Sequence, residues 1–283
     1  MPELPEVEAV RRRLAPYLTR ARIAGVDVRR PDLRAPFPRA FRARLVGRTV
    51  RSLDRRAKYL LARLSSGDTL IVHLGMSGSF RINPPGHAAK AAPAADRHDH
   101  VVFSMSSGAA ITFNDPRRFG LMLLLTPAQL ARHPVLSRLG LEPLSSEFDA
   151  AALARACRGK KASLKIALLD QRVVAGLGNI YASEALHVAR LSPFRRASTI
   201  ATRSGEPRQA AHRLAAAIKQ VVAKAIDRVA AGFRHVSDTS YRASRFRVYD
   251  REGEPCPRRN CSGIIRRRTQ AGRSTFYCPI CQK

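Results

Sequence analysis

The chain has 283 residues, 45% of them hydrophobic, with 51 Lys+Arg against 21 Asp+Glu and a formal net charge of +30. That length holds one large domain or two ordinary ones with real cores, and the composition excludes a disordered polyelectrolyte. The excess of positive charge runs from Arg11-Arg12-Arg13 to Arg266-Arg267-Arg268; it points to a nucleic-acid phosphate backbone as partner, without naming an activity and without accounting for its full size.

The elements follow in chain order. Val7, Val10 and Leu14, with Pro5 in the first turn, predict an amphipathic helix over 5–18. Strands are expected at 23–28, 49–53, 59–64 and 69–74, the last two joined at Ser65-Ser66-Gly67-Asp68. The Pro/Ala-rich stretch 84–97 predicts a mobile loop, and strands follow at 101–105, 110–113 and 120–125. After Pro134 the pattern turns helical, with helices expected at 150–157, 164–169, 180–188 and 208–231. The reading is an α+β chain with three parts: a β-rich domain 1–132 fronted by one helix, a helical domain 133–245, and a cysteine-bearing segment 246–283. No signal-peptide core and no apolar run of membrane-spanning length is present, so membrane attachment is not expected and a cytoplasmic place is.

Four of the five cysteines stand in the last 28 residues as Cys256-x4-Cys261 and Cys278-x2-Cys281. Paired thiolates around the turn-like Gln270-Ala271-Gly272 predict one structural Zn²⁺, all four positions filled by sulfur. So short a segment can hardly bury a core of its own, and the metal takes that place. Cys157 stands apart and reads as an ordinary helix residue. The opening Met1-Pro2-Glu3 reads either as an acidic helix start or, once Met1 is removed, as a secondary amine beside a carboxylate, able to attack an electrophilic carbon.

Several separated motifs carry a resemblance: Pro2-Glu3-Leu4-Pro5-Glu6-Val7-Glu8, Arg55-Arg56-Ala57-Lys58-Tyr59-Leu60-Leu61, His73-Leu74-Gly75-Met76-Ser77-Gly78, His98-Asp99-His100, Asp115-Pro116-Arg117-Arg118-Phe119-Gly120, Gly176-Leu177-Gly178-Asn179-Ile180-Tyr181-Ala182, and Gly272-Arg273-Ser274-Thr275-Phe276-Tyr277-Cys278. In this order they resemble the formamidopyrimidine-DNA glycosylase family, related to the endonuclease VIII group. The resemblance implies an N-terminal β-sandwich with a front helix, a helix–two-turn–helix domain and a C-terminal zinc-finger β-hairpin, with double-stranded DNA carrying oxidised bases or abasic sites lying across the basic cleft of a monomer associated with the nucleoid. It implies a bifunctional glycosylase and abasic-site lyase. Pro2 is then the nucleophile forming a Schiff base at C1′, Glu3 the proton carrier at the sugar, Lys58 a group facing the active centre, and Arg273 the holder of the lesion phosphate that aids δ-elimination. Met76, Arg117 and Phe119 are implied to fill the duplex when the damaged base is flipped out. His98, Lys160 and Asn179 are implied DNA contacts, Asn179 serving also as a helix N-cap. The stretch 232–245 is shorter than the family's lid and poor in glycine, which bears on lesion preference. Two other functions remain open on sequence grounds: an endonuclease VIII-like enzyme for oxidised pyrimidines, and a zinc-finger protein that binds damaged DNA without cutting it.

Overall fold

The computed structural model describes residues 2–86, 96–232 and 246–283. Most of the stretch expected as a mobile loop and, apart from Gly232, the expected lid lie outside these residues. The chain forms two compact units: Met1–Ser137 with the stretch that follows Ile226, and Arg138–Ala225 with the C-terminal segment.

The first unit opens with α1 (Leu4–Leu18). Glu3 is its N-cap and donates its backbone N–H to Glu6 Oε2 at 2.8 Å, while Pro5 sits in the first turn where no N–H is needed. Leu4, Val7, Val10 and Leu14 are buried at helical spacing. The strands are β1 (Ile23–Val28), β2 (Val50–Arg56), β3 (Tyr59–Leu64), β4 (Thr69–His73), β5 (Ser79–Asn83), β6 (Asp99–Met105), β7 (Ala110–Asn114) and β8 (Leu121–Leu125). They pair antiparallel into two four-stranded sheets, β1-β6-β7-β5 and β2-β3-β4-β8. Residues of both sheets and of α1 share one apolar core, in which Val10, Leu14, Leu60, Val72, Phe80, Phe103, Ile111 and Phe113 are buried. A short helix α2 (Phe41–Leu45) lies between β1 and β2; α3 (Pro127–Arg132) and α4 (Pro134–Ser137) follow β8.

Four of these elements, α2, β5, α3 and α4, were not expected from sequence. β5 shows only Phe80 and Ile82 inward, too few for a period-two signal to register. α2 is one turn long and starts from Ala40 in a left-handed conformation at φ +55°, a start that Ala does not advertise.

The second unit contains α5 (Ala150–Cys157), α6 (Leu164–Leu169), α7 (Asn179–Val188) and the long α8 (Gln209–Gly232), whose last turns belong with the first unit. Its C-terminal segment carries the hairpin β9 (Arg266–Gln270) and β10 (Arg273–Tyr277), turning through Ala271 and Gly272, both at positive φ. The finger's own buried cluster is Val248, Cys256, Ile265, Phe276 and Cys278. So small a core needs a cross-link, as expected of a metal finger. Asn179 is the first residue of α7 and Gly178 its N-cap, which corrects the sequence reading of Asn179 as the cap. Among the described residues no helix is long and apolar enough to cross a membrane.

Candidate active site and metal centre

Pro2 is half-buried at the start of α1, and Glu3 beside it is 1% exposed. Burial of a carboxylate is costly unless the surroundings receive it, so this is a built position and not a solvated helix start. Further along the same helix, Glu8 ties α1 to the β2–β3 hairpin. Its Oε2 accepts from Arg55 Nε at 3.2 Å and its Oε1 from Arg11 Nη2 at 2.8 Å, while Arg11 Nη1 reaches Leu53 O at 3.2 Å. Burial works to raise the Glu8 pKa, but Arg11, Arg12 and Arg55 outweigh it and hold the carboxyl below its ordinary value. Arg55 also donates Nη1 to Ala57 O at 2.9 Å, bracing the two-residue turn that presents Lys58. Ala57 takes φ +52° there, and Lys58 is buried at 8% exposure, unlike a solvated strand lysine.

His73, at the end of β4, stacks obliquely on Tyr59 with ring centroids 4.9 Å apart. Its Nδ1 accepts the Gly75 N–H at 3.0 Å. Burial first, then the charges of Lys58 and Arg34, push its pKa down to about 4, so the ring is neutral at physiological pH.

Met76 and Phe119 are 40% and 44% exposed, in a protein whose other large apolar side chains are mostly inside. Their two loops pack back to back because Gly75 lacks a side chain: at its φ of +62°, a Cβ would come within 2.3 Å of the Phe119 carbonyl carbon. Asp115, fully buried, fastens them. Its Oδ1 accepts from Ser77 Oγ at 2.5 Å and its Oδ2 from Gly120 N at 2.7 Å. Ser77 Oγ in turn accepts the Arg117 N–H at 3.2 Å, and the Arg117 guanidinium lies 4.8 Å from the Phe119 ring centroid. The Asp115 backbone N–H donates to His98 O at 3.0 Å, and His100 Nε2 is 2.9 Å from Asp115 O. The Asp115 carboxylate thus joins the loops of Met76, Arg117 and Phe119, and its backbone N–H adds the His98 carbonyl. The His98 ring stands over Asp96, Nδ1 to Oδ1 3.0 Å.

In the second unit, Lys160 is partly exposed and lies 3.9 Å from Asp170. Arg273 is exposed at the start of β10. Its neighbour Ser274 is gripped from the helices: the Ser274 carbonyl accepts from Lys165 Nζ at 2.9 Å and from Asn179 Nδ2 at 3.0 Å. Lys165 is fully buried and also reaches Thr275 Oγ1 at 2.7 Å. Glu184, buried in α7, accepts three successive backbone N–H groups from Arg247, Val248 and Tyr249 at 2.9, 2.9 and 3.0 Å. Asp115, Lys165 and Glu184 were missed by the sequence reading. Their only signal is an ionisable residue inside a motif or an apolar run.

The four sulfurs of Cys256, Cys261, Cys278 and Cys281 lie within 4.8 Å of one another. Cys256 and Cys281 are 3.8 Å apart, Cys261 and Cys278 3.6 Å. A tetrahedron of sulfurs about 2.3 Å from zinc has edges of about 3.8 Å, so the cluster fits Zn²⁺ with no position left for water or substrate. Gly263 makes room for it, since a Cβ there would stand 2.4 Å from Cys278 Sγ. Cys157 is separate and fully buried in α5, its thiol pushed up to about 11 by burial. It is an inert core residue.

Residues 1–122 match the formamidopyrimidine-DNA glycosylase N-terminal domain, 139–237 the H2TH domain of the same enzymes, and 253–283 the zinc finger found in FPG and IleRS. The chain belongs to the formamidopyrimidine-DNA glycosylase family. Curated relatives bearing that name, from Bradyrhizobium sp. strain BTAi1 and Rhodopseudomonas palustris strain BisB18, are each 56% identical with all of both chains covered. Among solved structures, the Lactococcus lactis Fpg in complex with DNA containing an abasic site superposes with TM-score 0.84 at 29% identity over all of both chains. MutM (Fpg) from Thermus thermophilus gives TM-score 0.79 at 39% identity over 99% of this chain and 98% of that one. The chain is accordingly an enzyme, a DNA glycosylase of base-excision repair with an FPG-type zinc finger, which sets aside the reading as a binder without chemistry.

Proposed function

We propose that the enzyme removes oxidised purines, formamidopyrimidine and 8-oxoguanine, from double-stranded DNA and then cuts the strand at the abasic sugar. The observation that carries this is Glu3, a buried carboxylate one residue from a Pro2 that becomes the N-terminal amine once Met1 is removed. An α-amino group with a pKa near 8 is partly neutral at physiological pH and is a nucleophile.

The Pro2 nitrogen attacks C1′ and the glycosidic bond breaks, the base leaving with a proton. Glu3 delivers a proton to O4′ as the sugar ring opens to the iminium. The cationic iminium acidifies C2′–H; loss of that proton expels the 3′ phosphate, and a second elimination expels the 5′ phosphate. Lys58, buried and beside neutral His73, contacts the reacting nucleotide or relays a proton there. Met76 and Phe119 occupy the stack vacated by the flipped nucleotide, and Arg117 hydrogen-bonds the orphaned partner base. His98, Lys160 and Asn179 contact the DNA, and Arg273 holds the lesion phosphate and assists the second elimination. The zinc is structural: it fixes the hairpin on which Arg273 stands and takes part in no bond change. Domain limits at 1–132, 133–245 and 246–283, monomeric action and a cytoplasmic place at the nucleoid belong to the same proposal.

The test is borohydride reduction in the presence of a duplex with one abasic site. A covalent adduct should form and map to Pro2, and Pro2→Gly should weaken it; Glu3→Gln should bind the duplex but excise no base. An adduct on a lysine with Pro2 unmodified would overturn the nucleophile assignment.

A further inference from the structure

The zinc centre has a neighbour that the cysteine spacing does not announce. His187 lies in the last turn of α7, is fully buried, and places Nε2 3.4 Å from Cys256 Sγ. We infer that His187 donates its Nε2–H to the Cys256 thiolate of the zinc centre, lowering that sulfur's basicity and fastening the end of α7 to the finger.

The chemistry of the pair sets the direction of the bond. A zinc-bound thiolate carries no proton, so only the ring nitrogen can donate. With Nε2 protonated, the neutral ring leaves Nδ1 as a bare lone pair, and Nδ1 is buried with no partner among the described residues. The opposite tautomer would bury an orphaned N–H and face one lone pair towards an anionic sulfur, which is the costlier arrangement. Four thiolates around Zn²⁺ carry a net charge of −2. Cys256 is one of the two buried residues among the four cysteines, and a buried anion needs donors.

A second link acts at the same place. Arg258, between Cys256 and Cys261, donates Nη2 to the carbonyls of His187 and Val188 at 2.7 and 3.3 Å, satisfying two acceptors at the helix end. The other end of α7 holds Asn179, bonded to Ser274 beside Arg273. The helix is therefore joined to the finger at its metal end and at its phosphate-binding end, and His187 makes the bond to the metal ligand itself.

The experiment uses the full-length protein. Partners of metal ligands typically change metal affinity 10–100-fold when removed. His187→Phe keeps a buried ring but has no N–H; its zinc affinity, read by competition with a chromophoric chelator, should fall about tenfold. In the cobalt-loaded protein its sulfur-to-metal charge-transfer band should move to longer wavelength. His187→Gln, whose amide N–H can reach the same sulfur, should restore both. A role in packing alone predicts no shift of the band and no rescue by Gln. Independently of any variant, ¹⁵N spectra of the histidine rings in the zinc-loaded protein should show His187 as the Nε2–H tautomer, with a slowly exchanging proton. That measurement decides the matter if His187→Phe does not fold. The Nδ1–H tautomer, or an unchanged band and unchanged zinc affinity in folded His187→Phe, would overturn the inference.

Discussion

Gly75→Ala tests how the Met76 and Phe119 loops, proposed to enter the duplex, are held. Gly75 has φ +62°, where an alanine costs about 1 kcal/mol. The larger effect is steric. The new Cβ would lie 2.3 Å from the Phe119 carbonyl carbon, 2.4 Å from its oxygen and 2.5 Å from Gly120 N, all backbone atoms, where ordinary contact begins at 3.4 Å. The loops must part by about 1 Å. That movement carries Gly120 N–H away from Asp115 Oδ2, now 2.7 Å apart and buried. Weakening one buried bond to a carboxylate costs about 1–3 kcal/mol. Together the terms give about 2–4 kcal/mol, and for a unit of this size Tm should fall by roughly 5–12 °C.

The functional consequence should exceed the loss of folded protein. A displacement of about 1 Å in a positioning group costs on the order of 100-fold in rate, and Met76 and Phe119 stand on the loops that separate. Single-turnover excision from an 8-oxoguanine duplex, measured well below the variant's Tm, should slow by about that factor. Cleavage of a duplex that already contains an abasic site should slow less, because no base remains to be evicted. Excision at the wild-type rate together with a Tm within about 1 °C of wild type would refute this account of the loop contact.

Cys278→Ser should lose about one equivalent of zinc by elemental analysis and most lesion binding; a metal-free protein that binds lesion DNA as well as wild type would end the claim that the finger is needed. His73, neutral in the folded protein down to about pH 4 while the unfolded chain takes up a proton near 6.5, contributes stability that is complete above pH 6.5 and lost as pH falls towards 4. In His73→Phe, melting curves across that window should decline less steeply, by at most about 3 kcal/mol at the acid end, and an unchanged pH profile would contradict the assignment. If about six phosphates are neutralised, log K against log [salt] should slope near −5, and a nearly flat plot would mean that the charge serves something other than DNA.

Much of the site was legible because its signals are local. A proline at position 2, paired cysteines and a Gly-Met-Ser-Gly turn need no knowledge of the rest of the chain. The β-rich first domain followed from short strand-like runs, its sandwich form from the family resemblance, and the helices of the second unit from spacing. The positioning residues were hidden because their partners are distant. Lys165 and Ser274 are 109 positions apart, Glu184 and Val248 64, and Ser77 and Asp115 38. In sequence, an Asp, Glu or Lys defaults to a solvated face. That default fails where a loop must be held to fractions of an ångström, because a charged hydrogen bond in a dry setting fixes both distance and direction. Asn179 shows the same failure in another form: a polar residue before an apolar run reads as a cap, but its side chain is engaged by a strand 95 positions away.

The distribution of charge follows from this use of acids. Among the described residues Glu3, Glu6, Asp99, Asp115 and Glu184 are buried, whereas the buried basic side chains are Lys58 and Lys165. Acids are the scarcer class, 21 against 51, yet they contribute more of the interior charge. Glu184 and Asp115 hold backbone N–H groups. Asp99 takes Arg81 and Asn114. Glu184 and Asp115, which hold backbone N–H groups, remove negative charge from the surface without removing a positive one, whereas Asp99 is matched by Arg81. The surface is therefore more positive, relative to its charged residues, than the formal +30 conveys. A backbone N–H pairs well with a carboxylate, as at Asp115 and Glu184, while the buried Lys165 serves the Ser274 carbonyl, and among the described residues no arginine is buried. An architecture that pins its functional loops with buried carboxylates thereby strengthens the field that draws a phosphate backbone towards them.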